Sequence, residues 1–165
     1  MLLHKTNLLK KAKVIKRPSS TIKSPYVADI QLVDDDYDVV DFTIYLAHCP
    51  SLGCCGLSDT NSIVLVSENN TKTKTRYTVE ICIFNEHKNN KSITQYISLK
   101  PKTAEYISYE ILKNNLLYKN LSYTKIEKEK VFENSRFDFY CLDNYHNEHI
   151  IEVKTVPLAY YVDVP

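Results

Sequence analysis

The chain has 165 residues and 19.2 kDa, room for one ordinary domain or two small ones, which excludes a large multidomain enzyme. Hydrophobic residues make up 44% and charged residues 25%, enough to build a packed core, and a net charge of +1 argues against a general polyelectrolyte binder. Only two glycines occur, Gly53 and Gly56, so neither a P-loop nor a GxGxxG phosphate cradle can form.

Residues 1–28 hold seven basic side chains (Lys5, Lys10, Lys11, Lys13, Lys16, Arg17, Lys23) and no acid. They read either as a solvated arm or first strand, or as a phosphate-contacting surface. The aspartates at 34, 35, 36 and 38 follow, and predict a hairpin turn between strands at Tyr26 to Val33 and Val39 to Ala47. Further strands are expected at Ser62 to Ser67 and Arg76 to Phe84. This half reads as a small all-β module, a barrel of OB type or a sandwich. Asn85 to Lys91 is a domain linker or a long hairpin loop, with one more strand at Ile93 to Leu99. After Pro101 the pattern turns helical, since Ala104, Ile107, Ile111 and Leu112 recur at helical spacing through Asn114. Strands at Tyr123 to Phe132 and Arg136 to Leu142, a turn Asp143 to His149 and a strand Ile150 to Val156 complete the chain. The expected fold is α+β, with a β-barrel domain over 1–87 and an α/β domain over 88–165.

The five cysteines (49, 54, 55, 82, 141) form an odd set with no CxxC pair, and no 18-residue apolar run occurs. A reducing, cytoplasmic setting and no membrane partner are expected. Lysine outnumbers arginine 18 to 3 beside 14 isoleucines and 13 asparagines, the mark of an AT-rich genome more than of function. His48, Cys49, Cys54 and Cys55 suggest Zn²⁺ only weakly, because adjacent cysteines do not readily point at one ion. His146 and His149 fall in a turn, where polar residues are ordinary. Cys82 and Cys141 lie in apolar strand patterns and read as core.

The chemistry concentrates near the C-terminus. In Arg136-Phe137-Asp138-Phe139-Tyr140, alternation sets the two phenylalanines on one face and Asp138 on the other. In Ile150-Ile151-Glu152-Val153-Lys154 it sets Glu152 and Lys154 together inside an apolar run. If these strands form a hairpin, two carboxylates and a lysine converge. That is the donor inventory of a Mg²⁺ phosphodiesterase site, and equally of an ion pair on a half-exposed sheet face.

Asp138 with Glu152-Val153-Lys154 resembles the PD-(D/E)xK nuclease signature. Tyr26-Val27-Ala28-Asp29, His48-Cys49-Pro50-x-x-Gly53, Lys74-Thr75-Arg76-Tyr77-Thr78-Val79-Glu80, Arg136-Phe137-Asp138-Phe139 and Glu152-Val153-Lys154-Thr155-Val156 occur in the order and spacing of the sugar fermentation stimulation protein (SfsA) family. The resemblance covers about residues 13–165. It implies an OB-like barrel followed by a PD-(D/E)xK-type domain, DNA as partner and a regulatory link to sugar metabolism. It also implies Asp138 and Glu152 as ligands of Mg²⁺ or Mn²⁺ with the Val153 carbonyl, Lys154 as the catalytic cation, and Glu110 on the helix as an indirect or third metal contact. The basic candidates for phosphate contact are Lys13, Lys16, Arg17, Lys74, Arg76 and Arg136, the last equally suited to pairing with a neighbouring acid.

The chain departs from the family pattern after His48-Cys49-Pro50, where Ser51 and Leu52 replace the usual asparagine and its neighbour. It also stops eleven residues after Lys154, where the family continues with further helices. The expectation is therefore a C-terminally shortened member: either a Mg²⁺-dependent nuclease-like protein or a non-catalytic nucleic-acid-binding or regulatory module.

Overall fold

The computed structural model describes residues 3–6, 8–52, 54–71, 73–88 and 91–156, with backbone alone at 86–88 and 91–92. The chain divides into two compact units, one over Thr6–Lys100 and one over Pro101–Thr155 that also takes the N-terminal residues up to Lys5.

The first unit is a six-stranded sheet: β1 (Leu9–Lys16), β2 (Val27–Leu32), β3 (Tyr45–His48), β4 (Ile63–Glu68), β5 (Tyr77–Lys88) and β6 (Lys91–Ser98), in the order β3-β2-β1-β4-β5-β6. Neighbours run antiparallel, and β3 also pairs with β5 in parallel through Ala47↔Tyr77 and His48↔Thr78. The pairings of β1, β2, β3, β5 and β4 thus return to their start. Strand alternation decides which side is inside: Ala12 and Val14 of β1 are fully buried, while the lysines between and beside them point outward. Ala12, Ala28 and Ala47 are small enough to leave room for Tyr77, which is completely buried among Val64, Val66 and Val79.

A bulge between Leu65 and Val66 breaks the period of β5, with Val79 opposite Val66 and Ile81 opposite Leu65. Val79 and Glu80 are consequently both buried. The Glu80 carboxylate accepts hydrogen bonds from Ser67 Oγ at 2.6 Å and Lys100 Nζ at 2.7 Å, which compensate its burial.

The acidic turn forms as expected: Asp34 Oδ1 accepts the amides of Asp36 and Asp38, and Val33 bridges Val39. The strand expected over Val39 to Ala47 shortens to Tyr45–His48. Asp41 is the reason. Its carboxylate takes the Thr43 amide (2.9 Å), the Thr43 hydroxyl (2.6 Å) and the Tyr45 hydroxyl (2.5 Å), and this local bonding competes with a ladder. Asn85 to Lys88 and Lys91 belong to the paired strands β5 and β6, with Lys88 opposite Lys91, and the division between units falls at Lys100/Pro101 and not near residue 87.

In the second unit, α1 (Pro101–Lys113) precedes an antiparallel sheet of β7 (Tyr123–Phe132), β8 (Ser135–Asp143) and β9 (Glu148–Ile151), in the order β7-β8-β9. Proline suits the first helical position, where no amide is needed. The helix ends in a Schellman cap: Asn115 takes a left-handed φ of 53°, its amide reaches Leu112 O, and the Leu116 amide reaches Ile111 O. One sheet face packs on the helix. Its core is Leu112, Phe139 and Cys141, flanked by Tyr109, Tyr123, Ile126, Ile151 and Val153.

Candidate functional site

Asp143 sets the geometry of the β8–β9 hairpin. Its carboxylate is buried and accepts the Tyr145 and Asn147 amides (2.8 Å each), the Asn147 side-chain amide (3.1 Å) and His149 Nε2 (2.9 Å). Burial opposes its ionisation, but these four donors outweigh burial and hold the carboxyl well below the usual carboxylate range. The turn so fixed pairs Cys141 with His149 and Phe139 with Ile151. Phe139 and Ile151 face the helix, and Val153 joins them there. Asp138 lies between Phe137 and Phe139 on β8, and Glu152 and Lys154 flank Val153.

Lys154 pairs with Glu152, and Asp138 bonds the backbone of the residue between them. Asp138 Oδ2 accepts the Val153 amide at 2.6 Å. Lys154 Nζ lies 2.6 Å from Glu152 Oε1 and within electrostatic reach of Asp138. The lysine lowers the Glu152 pKa and the glutamate raises that of Lys154, so both remain charged at neutral pH. Both are exposed and available to a ligand. The strand expected over Ile150 to Val156 ends at Ile151. Two residues on, the Asp138 side chain holds the Val153 amide.

Asp138 also borders a cavity of about 200 Å³ with Lys102, Glu105, Tyr106, Lys128 and Glu129. Glu129 has a left-handed φ of 51°. Lys102 bridges Glu105 at 2.7 Å and Glu129 at 3.4 Å, and Arg136 Nη1 stands 3.8 Å from Glu129 Oε2. Glu110 is elsewhere. It lines a neighbouring cavity of about 230 Å³ with Leu3, His4, Tyr106, Tyr109 and Lys128, and accepts a bond from Asn114 Nδ2 at 3.3 Å. The helix acid that shares a cavity with Asp138 is Glu105. Sequence pattern shows both acids, but five residues apart on a helix they point about 140° apart, and only the packing against the sheet selects between them.

The basic candidates separate into anchored and exposed groups. Arg17 donates to Pro25 O and Ser51 O, both at 2.8 Å, and to Ser58 Oγ, so its guanidinium ties loops together. Arg76 pairs with Glu68 at 3.0 Å and lies over the Tyr45 and Tyr77 rings at 5.0 and 5.6 Å. Lys16 and Lys74 are exposed, Lys13 points outward from β1, and Arg136 belongs to the second unit. Cys49, Cys54, Cys82 and Cys141 are free thiols. Burial pushes the Cys49 thiol up to about 11, so it stays protonated, and His48 Nδ1 contacts Tyr26 O at 3.2 Å. Among the described residues no group of three or more His, Cys, Asp or Glu is arranged to hold a metal, which leaves His48, Cys49, Cys54 and Cys55 without a zinc site. Among the same residues no helix is long and apolar enough to cross a membrane.

Residues 102–164 match the family model described as the sugar fermentation stimulation protein RE domain. Sugar fermentation stimulation protein homologs from Clostridium novyi (30% identity, 93% of this chain, 59% of that protein) and Clostridium kluyveri (30%, 100% and 65%) align along most of the sequence. One from Alteromonas mediterranea is 32% identical over 75% of this chain and 52% of its own. The Pyrococcus furiosus SfsA structure, determined in complex with Ca²⁺, superposes with a TM-score of 0.68 at 17% identity, over 100% of this chain and 64% of that one. The chain thus spans somewhat under two thirds of the length of these relatives. The matched second unit and the aligned homologs make this chain similar to the sugar fermentation stimulation protein family along most of its length, and the structural neighbour shares its mostly β fold with one helix.

Proposed function

We propose that the protein binds DNA and carries a Mg²⁺- or Mn²⁺-dependent, nuclease-like site on its C-terminal sheet. The observation that carries this reading is the Glu152–Lys154 pair beside Asp138, whose carboxylate accepts the amide of the intervening Val153. The helix followed by three strands supports a PD-(D/E)xK-type domain, and the ring of pairings among β1, β2, β3, β5 and β4 supports an OB-like barrel before it.

The donor set fits a hard cation. Two carboxylates and a backbone carbonyl supply oxygen only, with no thiolate or imidazole among them, which suits Mg²⁺, Mn²⁺ or Ca²⁺ better than zinc. A related structure was determined in complex with Ca²⁺. Asp138, Glu152 and the Val153 carbonyl would hold the ion, and a bound ion would polarise a phosphodiester and lower the pKa of a water. Lys154 would stabilise the attacking hydroxide or the phosphate, with Glu105 better placed than Glu110 to act through the Asp138 cavity. Lys13, Lys16 and Lys74 would supply phosphate contacts on the first unit. The free thiols suit a reducing, cytoplasmic setting.

Cleavage of labelled single- and double-stranded DNA with Mn²⁺ tests the site. Activity should be lost in Asp138→Asn and fall at least a hundredfold in Lys154→Ala, an effect of the size typical for general acid–base and electrostatic groups. Degradation that survives both would remove the assignment. A second reading, a binding or regulatory module without turnover, is favoured by one feature: Glu152 and Lys154 satisfy each other at 2.6 Å while Asp138 is satisfied by the Val153 amide. Metal-independent DNA binding without any cleavage would select it.

A further inference from the structure

Beside the acidic site, the cavity lined by Leu3, His4, Tyr106, Tyr109, Glu110 and Lys128 has a role that the metal site leaves unassigned. We propose that it is a stacking subsite for an unpaired nucleobase and that His4, which lines it, covers the Tyr106 ring in the free protein. This deepens the nucleic-acid reading above and rests on it.

The His4 imidazole lies parallel to the Tyr106 ring, with centroids 5.6 Å apart and planes 12° from coincidence. This is the geometry of a base on an aromatic platform. Tyr106 keeps 43% of its surface exposed, so its ring is presented to the outside and not consumed by the core. At about 230 Å³ the cavity is below the range of drug-sized pockets and suits a single ring system. Its polar groups suit a nucleotide. Lys128 Nζ sits 3.4 Å from the centre of the Tyr109 ring, a cation held on an aromatic face, and Glu110 offers a carboxylate acceptor to base N–H groups. Tyr106 and Lys128 also border the cavity that contains Asp138. A strand whose base stacks on Tyr106 therefore directs its adjoining phosphate past Lys128 toward the acidic site. His4 reaches this place from the far end of the sequence and covers the Tyr106 ring with one of similar shape.

The inference has a signature that electrostatics alone does not produce. Removing a histidine from a phosphate-binding surface weakens binding or leaves it unchanged, whereas removing an intramolecular cover strengthens it. Anisotropy titrations with a fluorescein-labelled 12-mer of single-stranded DNA should show His4→Ala binding about threefold tighter than wild type and Tyr106→Ala about tenfold weaker. Tyr106→Phe, which keeps the ring, should stay within about twofold of wild type. Thermal melts of each variant check that the fold is retained. Detectable binding by His4→Ala where wild type has none also supports the inference. Wild-type binding with His4→Ala unchanged or weaker overturns the covering by His4, and binding by Tyr106→Ala equal to wild type overturns the subsite; either result leaves the nucleic-acid reading standing. Absence of binding in wild type and every variant overturns both.

Discussion

The two units solve the burial problem differently. The first unit closes its strand pairings on themselves and buries a core running from Ala12 and Val14 through Val64, Val66 and Tyr77 to Val79 and Leu99, with little left for one face to lose. The second packs one helix on one face of a three-stranded sheet, and only Leu112, Phe139 and Cys141 of its apolar cluster are fully buried. The second unit also carries Asp138, Glu152 and Lys154. Stability and chemistry are thus concentrated in different parts of the chain.

That contrast is breakable. The largest effect should come from Phe139→Ala, which removes the principal buried side chain of the thin core and costs about 3–5 kcal/mol. Hydrogen exchange should then show β7, β8 and β9 losing protection while β1, β2, β4 and β5 keep theirs. Uniform loss in both units would contradict separate cores. In the first unit, Lys100→Met strips Glu80 of its cation and leaves a carboxylate that is 5% exposed with Ser67 alone, at a cost of about 2–3 kcal/mol by chemical denaturation. An unchanged midpoint would show that the pair contributes nothing.

Asp143→Asn tests whether the turn carboxylate sets the hairpin, and should lower the Tm by roughly 5 °C at neutral pH. The sign of its pH dependence follows from a folded pKa below the unfolded value of about 3.9. Its stabilisation is complete above that value and is lost as pH falls toward the folded pKa. Between pH 5 and pH 2 the wild type should therefore lose more Tm than Asp143→Asn; equal losses would assign the acid sensitivity elsewhere. The smallest effect belongs to Tyr77→Phe. The Tyr77 hydroxyl is buried without a hydrogen-bond partner, so its removal should change stability by less than about 0.5 kcal/mol, or raise it. A loss above about 1 kcal/mol would reveal a partner for that hydroxyl.

Much of this was legible from periodicity. The strand Tyr123–Phe132 was bounded by sequence pattern alone, but alternation in β8 misplaced its side chains: Phe132 packs with both Phe137 and Tyr140 while Asp138 and Phe139 border one cavity, across from Glu129 with its left-handed φ. What pattern misses is side-chain chemistry that overrides the backbone. Val39, Val40, Phe42 and Ile44 look like strand residues yet are exposed, because Asp41 captures the neighbouring donors. Glu80 reads as an outward residue of β5 and is turned inward by a bulge that sequence does not announce. The Asn85 to Lys91 stretch is polar enough for a linker, but Asn85 to Lys88 and Lys91 continue a ladder. Within the site, the acids on β8 and after β9 were legible from their motif. The helix acid was not, because choosing Glu105 over Glu110 requires knowing which flank of α1 borders Asp138.

The central claim is that Asp138 and Glu152 form one cation site, and calorimetric titration of Mn²⁺ into the wild-type protein, Asp138→Asn and Glu152→Gln tests it most directly. Saturable heat from a single site in the wild type, abolished in both variants while their thermal melts match, is the predicted result. Negligible heat in all three proteins, or equal binding by wild type and Asp138→Asn, would contradict it.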